Sequence, residues 1–156
     1  MILTTKGRYA VMAMVDLASQ PEGALVGLAQ IAERQHIPQA YLEQIFAKLK
    51  RAGLIDAVRG PGGGYKLARA PRDVSIATII DASEELIKIT RCSSLDDGGC
   101  ISPKARCKTH DLWEGLGIQI YNYLNAVTLA DVCERRVSSM IPKSADGLAF
   151  VLEETL

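Results

Sequence analysis

Four of the five residues from Gly60 to Gly64 are glycine, and the fifth is Pro61. Neither a helix nor a regular strand is stable through such a stretch, so the chain must turn there. Short β-prone runs flank it, Leu54-Ile55-Asp56-Ala57-Val58 before and Tyr65-Lys66-Leu67-Ala68 after. The predicted element is a two-stranded hairpin with a glycine-rich tip. The run also lacks the Gly-Lys-Ser/Thr ending of a phosphate-cradling loop, which argues against nucleotide binding.

Upstream, the apolar spacing is helical. Thr4 or Thr5 can cap a first helix running to about Ser19, closed by Pro21-Glu22-Gly23. A second helix, Leu28 to Gln35, puts Leu28, Ile31 and Ala32 on one face. A third runs from about Gln39 to Ala52, with Pro38 suited to a first helical position and Gly53 as the stop. Its Leu42, Ile45, Phe46 and Leu49 follow the i, i+3, i+4, i+7 pattern of a core face. Three helices followed by a hairpin make a winged helix-turn-helix, so the expected fold class is mainly α with a small β-wing.

In that fold the third helix enters a DNA major groove. The expected contact residues are Gln39, Ala40, Tyr41, Glu43 and Gln44, with Lys48, Lys50 and Arg51 suited to phosphates. Glutamine can bond adenine bidentately. Glu43 can accept from a cytosine amine and would penalise sites that lack one. Arg59 and Gly60 at the wing tip can approach a minor groove. Taken alone, Glu43 and Gln44 also fit the solvated face of any amphipathic helix, and Arg59 fits an ordinary turn.

The charge distribution favours the nucleic-acid reading. The 156-residue chain is neutral, yet residues 1–72 hold ten Lys/Arg against five Asp/Glu, while residues 73–156 hold eight against thirteen. A basic half beside an acidic half suggests a polyanionic partner for the first only. Lys6 and Arg8 precede an apolar run, but Asp16 interrupts it, and Tyr9, Ala13 and Leu17 share a helical face. That segment reads as a core helix of a cytoplasmic protein rather than a signal peptide, and no membrane partner is expected.

Three of the four cysteines and one of the two histidines lie close together as Cys92, Cys100, Cys107 and His110. Ser93 to Gly99 between the first two is polar, acidic and glycine-rich, as a loop would be. Three thiolates and an imidazole complete a four-coordinate site for zinc or an iron–sulfur cluster. Structural zinc sites bring ligands in close pairs, whereas only Cys107 and His110 are that near here. The spacing therefore leans towards a cluster and leaves zinc, or a thiol switch using two of the cysteines, open. Cys107 falls near a helix start, where a thiolate is favoured. Cys133 reads as a packed apolar residue and His36 as a structural turn residue. No carboxylate pair or nucleophile triad suggests an enzyme.

The second half is expected to follow the DNA-binding core of residues 1–72. Residues 73–89 hold a closing helix that begins near Ile76, and residues 90–110 form the cysteine loop. Residues 109–140 hold a long helix from about Thr109 to Val127, then a shorter one opened by a capping box of Thr128 and Asp131. Leu112, Leu116, Ile120, Tyr123, Leu124 and Val127 make an apolar stripe on the long helix, and Trp113, Ile118 and Tyr121 lie off it. One core cannot cover all of this. A second copy is the natural cover, with Leu112, Leu116, Ile120 and Leu124 at the dimer interface, and a twofold dimer suits a palindromic operator. Gly115 and Gly117 inside the helix would each cost about 1 kcal/mol relative to alanine, tolerable where they permit close packing. Residues 141–156 form a tail of unassigned role, with a short apolar run at 148–152.

Several segments resemble one family. Leu3-Thr4-Thr5-Lys6-Gly7-Arg8-Tyr9-Ala10-Val11, Tyr41-Leu42-Glu43-Gln44 and Val58-Arg59-Gly60-Pro61-Gly62-Gly63-Gly64-Tyr65 are similar to the Rrf-type bacterial winged-helix regulators. Cys107-Lys108-Thr109-His110-Asp111-Leu112-Trp113 and Asn125-Ala126-Val127-Thr128-Leu129 resemble the iron–sulfur cluster assembly regulators within it. The resemblance spans residues 1–133, although the gaps of seven and six residues between its cysteines are longer than the family pattern. It implies a homodimeric transcription factor that holds a [2Fe-2S] cluster through Cys92, Cys100, Cys107 and His110. The implied DNA partner is a duplex operator, and the implied cluster donor is the cluster assembly machinery. Related regulators would use the same loop to sense nitric oxide, iron or thiol oxidation.

Overall fold

The computed structural model describes residues 5–84 and 106–140. Helix α1, Thr5–Ala18, lays Ala10, Ala13, Met14 and Leu17 into the core at i, i+3, i+4 and i+7. Asp16 is buried on the same helix, and α2, Leu28–Gln35, supplies its partners. The Arg34 guanidinium donates to both carboxylate oxygens at 2.6 and 3.0 Å, and Gln35 Nε2 donates to one of them at 2.8 Å. At its start, the Gly27 N–H donates to Gln30 Oε1 at 2.9 Å; at its end, His36 takes a left-handed φ of 52°. The Ile37 N–H then reaches back to Ala32 O at 3.0 Å, which closes the helix and turns the chain. His36 itself is exposed, so its part in the turn is played by the backbone.

Helix α3, Gln39–Arg51, buries the four residues its periodicity marks, Leu42, Ile45, Phe46 and Leu49. Pro38 is the N-cap and not the first helical residue; its carbonyl accepts from the Tyr41 and Leu42 amides. Gly53, at a φ of 67°, ends the helix. The wing pairs β1, Ile55–Val58, with β2, Gly64–Leu67, antiparallel, with Asp56 opposite Lys66 and Ala57 opposite Tyr65. Gly60 and Gly62 take φ values of 105° and 76° in the turn, a region open to glycine and strained for other residues. Val26 adds a short third edge, exchanging two hydrogen bonds with Tyr65 at 2.8 and 2.9 Å. The Phe46 and Tyr65 rings meet edge to face at 4.8 Å and fasten the wing to α3.

After a 3-10 turn at Pro71–Asp73, α4, Ile76–Ala82, starts from Ser75, whose hydroxyl accepts from the Thr78 amide at 3.1 Å. Helix α5 spans His110–Ala126; α6 is Leu129–Cys133 and α7 is Val137–Met140. The expected capping box opens α6, with the Thr128 N–H donating to Asp131 Oδ2 and the Asp131 N–H to Thr128 Oγ1.

Among the described residues, the chain after α5 returns to the first core. The Ile76 N–H donates to Val127 O at 2.9 Å and the Leu129 N–H to Val74 O at 2.8 Å, and Val127 and Leu129 are buried among α1 and α4 residues. Val127 therefore ends the stripe inside the winged-helix core, while α5 stands out from it. Tyr121 Oη donates to Asp81 Oδ2 at 3.1 Å and ties α5 to α4. Leu112 is 63% and Ile118 53% exposed, and Trp113, Leu116, Tyr121 and Tyr123 are exposed as well. Ile120 and Leu124 are half-buried, Leu124 against the core. Among the described residues, a Cβ on Gly115 would meet nothing within 4 Å, so no close approach there calls for glycine.

Candidate functional site

The face of α3 opposite its core residues carries Gln39, Ala40, Glu43, Gln44, Ala47, Lys50 and Arg51, all exposed. Glu43 and Gln44 lie on opposite flanks of this ridge. On the Glu43 side, a groove of about 490 Å³ separates α3 from the wing, with Glu43, Ala47 and Lys50 on one wall and Val58, Arg59 and Tyr65 on the other. Gly27 and Leu28 at the start of α2 line it too. The sequence reading does not mark Ala47 for this wall and gives Leu28 only to the apolar face of the second helix, although the i+4 step from Glu43 points to Ala47. Gln39 Nε2 donates to Glu43 Oε1 at 3.2 Å and steadies the carboxylate at the groove edge.

Gln44 instead borders a small hollow with Lys6, Tyr41, Lys48 and Ser83. Tyr41, expected at the DNA, is half-buried, its ring edge-on to Tyr9 at a centroid distance of 5.6 Å. Lys48 is turned towards the end of α4: its ammonium donates to Ser83 O at 3.0 Å and pairs with Glu84 at 2.8 Å. Arg51 pairs more loosely with Glu84, at 3.4 Å. Arg59 and Gly60 are exposed in the wing turn. The described residues thus place Glu43, Lys50 and Arg59 around one concave surface, and Gln44, Lys48 and Arg51 on the other flank.

The expected set of three cysteines and a histidine is partly described. Cys92 and Cys100 lie outside the described residues, as does the tail from residue 141 on. Cys107 is half-exposed just ahead of α5, its Sγ 3.4 Å from Thr109 Oγ1, and its carbonyl accepts from the His110 N–H at 3.0 Å. His110 is the first residue of α5 and is 4% exposed, with Nε2 3.7 Å from the Glu114 carboxylate one turn on. The thiol and the imidazole therefore share one turn of chain. They are donors of the types that hold iron–sulfur clusters or zinc, so the described half of the ligand set fits such a group.

Sequence reading misses the carboxylates beside this histidine. Ligand atoms of His110, Asp111 and Glu114 lie within 4.8 Å of one another. Their i, i+1, i+4 spacing is the available signal, but isolated acidic residues on a helix are too common to stand out. Cys133 is elsewhere, on α6 against α1, with its Sγ 4.0 Å from Val15 O. Burial pushes its thiol pKa up, which suits a packed residue and not a ligand.

Residues 3–135 match the Rrf2 family, described as iron-dependent transcriptional regulators. The chain belongs to that family. It is 50% identical over 135 residues to ORF2 of Azotobacter vinelandii, a provisionally named HTH-type transcriptional regulator, covering 86% of this chain and 80% of that one. It is 45% identical over 139 residues to the HTH-type transcriptional regulator IscR of Cereibacter sphaeroides, covering 88% and 90%. Among solved structures, IscR of T. potens matches with a TM-score of 0.68 at 35% identity, covering 94% of each chain. CymR, the global cysteine regulator of B. subtilis, matches with a TM-score of 0.72 at 27% identity, covering 86% of this chain and 98% of that one. The winged-helix fold and a DNA-binding regulatory role follow from this membership, a role distinct from enzymatic catalysis. Among the described residues, no helix of this Rrf2 member is long and apolar enough to cross a membrane.

Proposed function

We propose that this Rrf2 regulator is a homodimer that reads a palindromic operator and senses iron–sulfur status through a [2Fe-2S] cluster held by Cys92, Cys100, Cys107 and His110, controlling genes of cluster biogenesis. One observation carries the cluster reading: Cys107 and the buried His110 lie on one turn at the start of α5, in a chain 45% identical to an IscR along most of its length. When bound, the cluster supplies an oxidisable, labile group whose occupancy follows iron and sulfide supply. The chain's own part is to present a neutral imidazole and thiolates as ligands, with Glu114 beside His110 and Thr109 beside Cys107. A mixed thiolate and imidazole set raises the potential relative to thiolates alone. The cluster assembly machinery is the expected donor.

At the DNA, Glu43, Lys50 and Arg59 are read as facing one groove wall and Gln44 the other. Ala40 and Gln39 lie near the helix start, with Gly60 allowing close backbone approach. The uncovered α5 residues Leu112 and Leu116, with Ile120 and Leu124 behind them, are read as the dimer contact.

Anaerobic isolation followed by absorption spectroscopy and iron and sulfide analysis tests the cluster. Visible absorption with iron and sulfide in equal amounts is expected, lost in Cys107→Ala and kept in Cys133→Ala. One equivalent of zinc without iron would replace the cluster by a structural metal. A second reading, a sensor of thiol oxidation through the same loop, is favoured by the likeness to CymR of Staphylococcus aureus, whose structure is known in an oxidized form. It predicts a colourless protein whose operator binding responds to peroxide.

A further inference from the structure

Glu84 is the last described residue after α4, and it brings its carboxylate to the cationic flank of α3. Its Oε2 lies 2.8 Å from the Lys48 ammonium and its Oε1 3.4 Å from Arg51 Nη1. The neighbouring carbonyl of Ser83 accepts from the same ammonium at 3.0 Å. Glu84 reaches this position with a φ of 60°, in the left-handed region that non-glycine residues seldom occupy. The Lys48 hydrogen bond and charge, then the charges of Arg51 and Lys6, lower the Glu84 pKa below its ordinary 4.5, so the group is anionic at neutral pH. Lys6, Lys48 and Gln44 also border the same hollow. An acidic side chain thus sits among cations on the flank of the helix read as the DNA-contacting one.

We propose that Glu84 is a specificity-determining residue that competes with duplex phosphates for Lys48 and Arg51, and so lowers the sequence-independent part of the protein's DNA affinity. The inference rests on α3 being the reading helix. Phosphate contacts are blind to sequence, and each one adds a counterion-release contribution to affinity whatever the base pairs. A cation already paired with an internal carboxylate releases fewer counterions when a phosphate arrives, because it must first give up that partner. Exposed pairs of this kind are weak, so a well-fitted operator can displace Glu84. A random duplex, lacking the base contacts that hold α3 in register, is left with a smaller share of the affinity. Capping of α4 by the Lys48 ammonium explains the Ser83 contact alone; it gives no reason for the Glu84 carboxylate to pair with both Lys48 and Arg51.

The test measures binding of the full-length protein to a duplex selected by the wild type from random sequence, and to a scrambled duplex, from 50 to 400 mM KCl. For Glu84→Gln, scrambled-duplex affinity should rise several-fold at the low end of this range. The slope of log affinity against log salt should steepen by about 1 for each cation freed, so by ~2 with both. The ratio of selected to scrambled affinity should fall. Adding Lys48→Gln to Glu84→Gln should take back about half of the extra slope. An unchanged slope in Glu84→Gln, with only the melting temperature altered, reduces Glu84 to a structural end of α4 and overturns the proposal. Gln44→Ala and Arg59→Ala separate the two levels. If both bind like wild type, α3 is not the reading helix and the Glu84 proposal falls with it; if both weaken binding while Glu84→Gln matches wild type, the Glu84 proposal alone fails.

Discussion

Asp16 shows how one residue can join two helices at a cost that must be offset locally. Burial alone would raise its pKa, but the Arg34 and Gln35 hydrogen bonds and the Arg34 charge more than reverse this, and the carboxyl ends below its ordinary value of 3.8. A group with a depressed folded pKa stabilises the fold above its unfolded value and loses that contribution as pH falls through the folded one. Asp16→Asn should therefore destabilise the protein at pH 7 by on the order of 2 kcal/mol. That is the range for hydrogen bonds to a charged group, and less than for a fully enclosed pair because Arg34 is 40% exposed. In urea unfolding, the gap between wild type and variant should narrow as pH drops below 3.8. A gap that stays constant into that range would mean the aspartate acts by shape and not by charge. This residue was only half legible in the sequence: its place on α1 follows from chain position, while its burial depends on where α2 lands.

At the scale of elements, what is local was readable and what is distant was not. The limits of α2, the core face of α3, the Gly53 stop and the glycine turn of the wing all follow from periodicity or from residues with few conformational choices. The Val26 edge against Tyr65 and the return of Val127 and Leu129 beside Val74 and Ile76 join segments far apart in sequence, and no periodicity announces them. The same holds for Lys48, which its helical position marks as a phosphate contact and the fold turns towards Glu84. Gly64 carries a test of the Val26 edge. A Cβ there would come within 2.7 to 2.9 Å of the Val26 backbone, which has no free rotor with which to yield. Gly64→Ala should cost about 1–3 kcal/mol by overpacking, seen as a lower melting temperature, and should loosen the wing. Unaltered stability would show that the edge can shift freely. For α5, Leu112→Glu with Leu116→Glu should convert a dimer to monomers in sedimentation velocity without lowering the melting temperature of the winged-helix core, since both side chains are exposed. A double variant that remains dimeric would place the contact elsewhere.

Across the whole molecule, the residues proposed to read DNA and those proposed to hold a cluster are carried on elements that share one core. The net-positive first half holds α3 and the wing, and the net-negative second half holds the cysteines and α5. Because α6 packs back on α1 and Tyr121 ties α5 to α4, a change at the start of α5 has a path of packed helices towards α3 and the wing. Coupling through such contacts is typically worth about 1–3 kcal/mol, or roughly 5- to 150-fold in affinity. Glu43, held by Gln39 at the groove edge, is where that shift should alter operator choice, since a carboxylate there is rewarded only by a suitable base edge. The direct measurement is equilibrium binding of cluster-loaded and cluster-free protein, prepared anaerobically from one batch, to a panel of operators that differ in the bases facing α3. The expected result is a change in the ranking of operators on loading, by fivefold or more for at least one of them, that is erased in Glu43→Ala. Identical rankings in both loading states, with Glu43→Ala indistinguishable from wild type, would contradict the claim that this regulator's cluster governs what it binds.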